Sequence, residues 1–287
     1  MVEGGEPGAP APWARVNTGD MKPWLTALCL ASVALAGGAE GPALPGLKLD
    51  ARAVGRTADV RVVPGVPLRE EPAFFFPTHV RAVLDRPGER WQPQYETDLP
   101  LAYVAVYPVA GLLAQYPQRG EPWNVRTQIE RLNALNRGGL NEVKGPLPYL
   151  PLLNATLAAA GAVRQIETPS VRGVRYLSVA SQEDGVRFPR EAVFSTFQGL
   201  SRDGRFYVTV QMPYAPASLP TRAELLRTKT FEVAPYPAES GGRGPAYDAY
   251  RERVNAYRAD LVTRLNAEDS SPGLRAFDAL VRSIRLD

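Results

Sequence analysis

The sequence predicts an α+β fold, in which a twisted, mainly antiparallel sheet is covered by helices within a single domain. Strand-like segments follow one another in the middle of the chain, between residues 162 and 212. Helical patterns precede them at 124–137 and follow them at 244–284. Because strands and helices fall into separate runs instead of alternating, the pattern favours α+β over a parallel α/β sheet.

The amino-terminal region is typical of a secretory signal. Residues 21–36 open with Lys22 and continue as an uncharged run, which is shorter than the roughly 20 apolar residues that cross a bilayer. Small residues follow, so we expect cleavage after Ala36 or Ala39. Residues 1–20 carry more acidic than basic side chains, which makes a poor leader, and we interpret them as a wrongly assigned start.

The signal sets the expected location and redox chemistry of the mature chain. We expect an exported protein that is periplasmic, in the cell envelope or extracellular, without a transmembrane helix. Cys29 is the single cysteine of the chain and follows Leu28, whereas a lipid attachment site has a small residue there. The sequence therefore disfavours a lipid anchor and predicts a mature chain without disulfides, thiolate metal sites or cysteine nucleophiles.

The first part of the domain contains three predicted strands. Residues 37–46 are rich in Gly, Ala and Pro and are interpreted as a flexible tether, after which the domain runs over 47–287. Residues 58–63 and 79–85 are β-branched or alternating runs between Pro and Gly. Residues 101–109 are more apolar, which favours a buried strand in a central position.

A helix and a proline loop come next. Asn124 is a suitable N-cap, apolar residues recur after it at helical spacing, and Gly138 with Gly139 ends the pattern. Prolines then alternate with apolar residues in "PLPYLPLL" at 146–153. Alternate prolines can form a polyproline ligand, but the apolar residues between them favour a loop that inserts its side chains into the core.

The stretch at 193–212 predicts a β-hairpin, preceded by two further strands at 162–168 and 174–181. Gly204 supplies the positive backbone angle that a tight reversal needs. In the second strand of the hairpin apolar and polar residues alternate, which is the period of a half-buried strand. We expect its apolar face, which includes Phe206, to pack under a helix.

Two amphipathic helices end the chain. Between 244 and 268 tyrosine and aliphatic residues repeat at three- and four-residue steps and form one apolar stripe. Pro272 opens a final helix whose apolar positions continue to Ile284. Both stripes predict packing on the chain's own sheet, so we expect one domain despite the Gly- and Pro-rich segment at 237–245.

Composition and missing motifs exclude several functional classes. The 33 basic and 30 acidic residues give a net charge of +3 and are scattered, which disfavours nucleic-acid binding. His79 is the only histidine, and we interpret it as a satisfied residue at a strand edge. Because metal-ligand spacings, phosphate loops and nucleophile elbows are missing from the sequence, we expect no metal and no cofactor.

Three functions stay open after these exclusions, and one of them is purely structural packing within the cell envelope. The one we favour is a non-enzymatic domain that binds an unknown envelope partner or small ligand, with the polar hairpin face of Gln198, Arg205 and Tyr207 as its candidate surface. The alternative is an extracytoplasmic hydrolase of a glycan or peptidoglycan, because its pair of carboxylates leaves no spacing signature. The candidate acids lie close together in sequence: Glu70 and Glu71, Glu96 and Asp98, and Glu183 and Asp184.

Four segments resemble a family of uncharacterised secreted or lipid-anchored bacterial proteins. They are "YVAVYPV", "LPYLPLLNA", "VFSTFQGLSRDGRFYVTVQMP" followed by "SLP", and "FDALVRSI". Together they span residues 79–285. The family has no known activity, so the resemblance implies one exported domain without a catalytic residue to carry over. Leu28 before Cys29 departs from the lipid-attachment site of its anchored members.

The amino terminus of the native protein tests the export prediction. Intact mass and terminal sequencing of protein from fractionated cells should show a soluble chain that begins at Gly37 or Glu40 outside the cytoplasm, because signal peptidase cleaves after small residues. A cytosolic chain that begins at Met1 or Met21 would contradict export. A lipidated Cys29 would instead place the protein on a membrane surface.

Overall fold

The structure, a computed structural model, describes residues 43–69, 74–95, 97–117, 124–140, 146–152 and 155–287. The proposed start at 1–20, the signal at 21–36 and most of the tether lie outside these ranges. Three of the candidate acids also lie outside them: Glu70, Glu71 and Glu96.

The α+β prediction is confirmed by a central antiparallel sheet with helices on both faces. The strands are β1 (Leu47–Lys48), β2 (Thr57–Val63), β3 (His79–Asp85), β4 (Tyr103–Pro108), β5 (Thr156–Glu167), β6 (Val171–Ser181), β7 (Phe194–Ser201), β8 (Phe206–Pro213) and β9 (Arg285–Leu286). Seven of them form one sheet in the order β2-β3-β4-β8-β7-β6-β5, while β1 pairs with β9. The hairpin strand β8 is therefore the middle strand of the sheet.

Five α-helices lie within the described residues. They are α1 (Val109–Gln115), α2 (Val125–Gly138), α3 (Arg222–Thr228), α4 (Pro245–Ala267) and α5 (Pro272–Ser283). The predicted N-cap of α2 is confirmed, because the Asn124 side chain accepts a hydrogen bond from the Thr127 amide at 2.8 Å. The residue pattern of the α1 and α3 segments did not predict a helix. None of the described helices combines the length and apolar character that a bilayer span needs.

The helices α4 and α5 cover one face of the sheet. The apolar residues Leu265 of α4 and Leu280 of α5 share a core with Phe206 of β8, so the predicted packing of the Phe206 face is confirmed. The helix α4 crosses β5 so closely that a side chain at Gly161 would place its Cβ 2.6 Å from the Cβ of Leu265. This close approach explains why a glycine stands in the middle of the strand.

The other face is covered by α1, α2 and two loop segments. Phe74–Phe76 and the proline loop both place side chains in the core of this face. Tyr149 and Leu150 of the proline loop are buried, which confirms the predicted insertion into the core. Because helices or loops cover both faces of β8, the prediction of a half-buried strand is wrong: the alternation is present, but its polar side is buried as well.

A buried arginine joins the sheet to the carboxy-terminal helices. Arg175 of β6 is fully buried, and its Nε donates to Asp278 of α5 at 2.9 Å. Its Nη1 donates to Asp269, in the turn between α4 and α5, at 2.9 Å and to the carbonyl oxygen of Ala162 in β5. Arg164 contributes a second guanidinium, which lies 2.6 Å from Asp269.

The substitution Arg175→Met tests this connection. It should lower the free energy of unfolding by about 3–5 kcal/mol, because it leaves the buried Asp278 carboxylate without its main partner. The measurement is urea unfolding followed by circular dichroism. Arg52→Met is the control, since the Arg52 side chain is exposed, and it should change stability by less than about 0.5 kcal/mol. Equal effects of the two substitutions would contradict the role of Arg175.

Candidate ligand-binding site

The sheet face beneath α1 and α2 carries a layer of buried polar side chains. Strand register places Arg81, Thr209 and Gln198 in one row across the sheet, because Arg81 opposes Ala105, which opposes Thr209, which opposes Gln198. A neighbouring row contains Tyr103 opposite Gln211. This layer divides into a part with complete hydrogen bonding and a part without it.

Gln198 is the centre of the complete part. Its Oε1 accepts hydrogen bonds from the Tyr207 hydroxyl at 2.6 Å and from the Leu150 amide at 2.9 Å. Its Nε2 donates to the hydroxyls of Thr196 at 2.8 Å and Thr209 at 3.0 Å. All four of its polar positions are used, so Gln198 anchors the proline loop to the sheet.

The three predicted ligand-facing residues do not form an open surface. Gln198 and Tyr207 are fully buried and bond to each other. Arg205 lies apart from them, 74% exposed, and its Nε pairs with Asp203 at 2.5 Å. The sequence pattern identified a polar face of the hairpin correctly but could not show that a second layer covers it.

The incomplete part contains His79, Arg81, Tyr103 and Tyr107. Eight buried side-chain polar atoms lack a hydrogen-bond partner in the described part of the chain, and five of them belong to these four residues. They are His79 Nε2, Arg81 Nε and Nη2, and the hydroxyl oxygens of Tyr103 and Tyr107. Since buried polar groups are nearly always paired, so many open positions in one place indicate a candidate site.

Arg81 is a buried cation without a neighbouring carboxylate among the described residues. Its side chain donates to the carbonyl oxygen of Asp98 at 3.3 Å and lies over the ring of Phe76, 5.2 Å from its centroid. Burial is the main cause that lowers the pKa of Arg81. Tyr107 and Tyr103 oppose this shift, Tyr107 also through a side-chain interaction, while the nearby Arg61 adds to the lowering. The guanidinium nevertheless stays charged, so an anion bound here would be strongly favoured.

His79 is neutral and offers an acceptor. Burial, followed by the positive charge of Arg81, lowers the pKa of His79 to about 3. Its Nδ1 lies 3.0 Å from the carbonyl oxygen of Pro77, so Nδ1 carries the proton and Nε2 has the free lone pair. Burial raises the pKa of Tyr107 to about 12, although the charge of Arg81 and a side-chain interaction with it oppose the shift. The Tyr107 oxygen therefore lies close to Arg81, and its O–H stays protonated and can donate to a ligand.

The interpretation of His79 as a satisfied strand-edge residue is corrected by this geometry. His79 begins β3, which is the second strand of the sheet, and it is fully buried with one ring nitrogen unpaired. The sequence does contain a signal for this polar face: His79 and Arg81 alternate with apolar residues in one strand, so both lie on the face opposite the apolar one. The Tyr103 and Tyr107 spacing places both tyrosines on one face of β4 in the same way.

A cavity of about 610 Å³ opens beside the proline loop. Its lining is mostly apolar and includes Leu147, Leu152 and Leu157 together with Gln128 and Tyr149. Tyr149 links the cavity to the polar layer, because its hydroxyl bonds to Gln211 of β8. Two strand spacings, or about 10 Å, separate β8 from Arg81 on β3.

Neither a metal-ligand group nor a related protein gives further information about this site. The described residues contain no group of three or more His, Cys, Asp or Glu side chains that could hold a metal ion. Comparisons of the chain with protein-family models, curated proteins and solved structures give no match. The candidate site is therefore defined by its own geometry.

The substitution His79→Phe tests the buried neutral histidine. Between pH 6.5 and about 3 the unfolded chain binds a proton at His79 while the folded chain does not. The fold therefore loses stability as the pH falls through this range, by about 1.4 kcal/mol for each unit. The measurement compares urea unfolding of both proteins at pH 7, 6, 5 and 4.

We expect the stability of wild type, relative to His79→Phe, to fall with acid, because the variant has no proton to bind there. Carboxylates common to both proteins cancel in this comparison. Parallel curves for the two proteins from pH 7 to pH 4 would show that His79 is protonated as easily in the fold as in the unfolded chain.

Proposed function

We propose that this protein is an exported cell-envelope binding protein, not an enzyme, and that it binds a small organic anion through Arg81. The observation that carries the proposal is a fully buried guanidinium without a carboxylate partner among the described residues. The export part of the proposal depends on the signal at 21–36. The binding part depends on the chemistry of the polar layer.

The open positions of the layer fit a carboxylate. Arg81 has Nε and Nη2 without partners, and an arginine fork binds a carboxylate through two parallel hydrogen bonds. The hydroxyls of Tyr103 and Tyr107 are additional donors for such a group. The lone pair of His79 Nε2 requires a donor on the ligand, such as a hydroxyl group.

The mostly apolar cavity beside Tyr149 suits the rest of the ligand. Ligand sites combine apolar walls with a few polar groups that fix orientation. None of the residues that line the cavity belongs to the incomplete part of the layer, so a ligand that places its carboxylate at Arg81 must extend across two strand spacings, roughly 10 Å, to reach Tyr149 above β8. We therefore propose an amphipathic carboxylic acid as the ligand class.

The alternative hydrolase gains no support from the described acids. Asp184 is held by Arg258 at 2.5 Å and by Arg251 at 3.4 Å. The Asp98 carboxylate accepts hydrogen bonds from the backbone amides of Gln94 and Tyr95 at 2.8 Å. These roles are those of ion-paired and turn-forming residues, so neither Asp184 nor Asp98 favours a catalytic pair.

The substitution Arg81→Met tests the proposal with two readouts. It should raise the free energy of unfolding by about 1–2 kcal/mol, because an apolar side chain replaces a buried charge that has no carboxylate partner among the described residues. It should also abolish the binding of straight-chain carboxylates, with and without a hydroxyl group near the carboxylate, in titration calorimetry. Alcohols of the same chain length should bind neither protein tightly, because they carry no charge for Arg81.

Arg205→Met is the matched control, since Arg205 is an exposed arginine of the predicted hairpin face. It should leave carboxylate binding unchanged and stability within about 0.5 kcal/mol. Destabilisation of Arg81→Met as large as that of Arg175→Met would mean that Arg81 is structural. Absence of binding to wild type across the carboxylate series would reject this ligand class.

A further inference from the structure

The strand β2 forms one edge of the sheet and is exposed along most of its length. It pairs with β3 on one side only. In the described part of the chain no backbone hydrogen bond crosses its outer side. Val60 and Val62 are 43% and 59% exposed on the face that β2 shares with the α4 and α5 core. Such an edge is a template for pairing with another strand.

The charged residues of β2 are placed so that they can pair with those of a second, antiparallel strand of the same sequence. Asp59 and Arg61 lie two residues apart and therefore project from the same face of the strand. Neither forms an ion pair with a described residue; Arg61 instead lies over the ring of Trp91, with 5.6 Å from its guanidinium carbon to the ring centroid. An antiparallel strand with the same sequence would present opposite charges to both.

We propose that β2 pairs with β2 of a second copy of this chain around a two-fold axis through Val60. In this register Asp59 lies opposite the partner's Arg61, and Arg61 lies opposite the partner's Asp59. On the other face Val62 lies opposite the partner's Ala58, and the two Val60 side chains meet on the axis. Directly opposed residues in antiparallel strands interact at about 4.5–5.5 Å between Cβ atoms.

Charge selects this register over its neighbours. A two-fold axis through Asp59 would place the two Asp59 carboxylates opposite each other. An axis through Arg61 would do the same with two guanidinium groups, and like charges directly opposed are destabilising. Among the three adjacent registers that keep both sheet faces continuous, the one centred on Val60 alone pairs opposite charges.

Pairing with a second copy also removes the exposed edge of the sheet. A two-fold contact uses the same strand on both molecules, so the assembly stops at two copies and leaves no new edge there. The result is a continuous fourteen-stranded sheet, as follows from seven strands in each copy.

Sedimentation velocity of the protein, purified as cells produce it, tests the proposal across a wide concentration range. Wild type should change from monomer to dimer as concentration rises. Asp59→Arg and Arg61→Asp should each raise the dimer Kd at least about tenfold, because both symmetric pairs become repulsive. The double variant that carries both changes should restore the dimer, since the opposed charges are attractive again.

A mixture of the two single variants gives the sharpest outcome. Each is repelled by itself, but the arginine introduced at position 59 of one faces the aspartate introduced at position 61 of the other, so heterodimers should form. Arg205→Asp is the control charge reversal and should not affect association. Circular dichroism should show that all variants fold.

Two results would overturn the proposal. One is a wild-type protein that stays monomeric at every concentration. The other is a dimer that persists unchanged in both single variants, because such a dimer would use another surface. Val60→Lys places a charge on the axis and gives an independent check, since it should also yield monomers.

Discussion

The fold depends on the burial of one charge, that of Arg175. A guanidinium inside the sheet is tolerated only with its partners in place, and these come from three separate elements: Asp278 of α5, Asp269 of the α4–α5 turn and the Ala162 carbonyl of β5. The positive φ of Ala162, 51°, belongs to the same arrangement, because its amide donates to Asn266 of α4 at 2.8 Å. The carboxy-terminal helices are therefore fixed to one end of the sheet by charge as well as by apolar packing.

A second buried arginine, Arg81 on the opposite face of the sheet, has no such network of carboxylates in the described part of the chain. Arg81 and Arg175 are both removed from solvent, yet only Arg175 has carboxylate partners among the described residues. Arg175 is therefore a structural residue, whereas Arg81 still has donors with which it can bind a ligand. The same contrast exists within the polar layer, where Gln198 uses every hydrogen-bonding position while His79 Nε2 and the Tyr103 hydroxyl have no partner among the described residues. The capacity to bind a ligand therefore lies in the part of the layer whose hydrogen bonding is incomplete.

The sequence predicted the elements that are specified locally. The hairpin, with its turn at Gly204, and α2, with its Asn124 cap, depend on neighbouring residues and were confirmed. The strand β5 begins at Thr156 instead of residue 162, because pairing with β6 outweighs the low strand propensity of alanine. Burial of the hairpin's polar face could not be predicted, since the α1 and α2 layer that covers it is distant in sequence. The candidate site depends on that layer and was missed with it.

The two edges of the sheet are treated differently by the fold, and this asymmetry has consequences for assembly. At β5 the register with β6 shifts twice, and α4 packs against the strand at Gly161; bulges and covering helices are the usual protections against edge pairing. At β2 the strand is regular over its whole length with β3 and lacks such a cover along Thr57–Val60, which is exposed. Among the described residues, β2 is therefore the edge that is more open to growth of the sheet. A molecule with one open edge can pair once, which favours a closed dimer over a fibre.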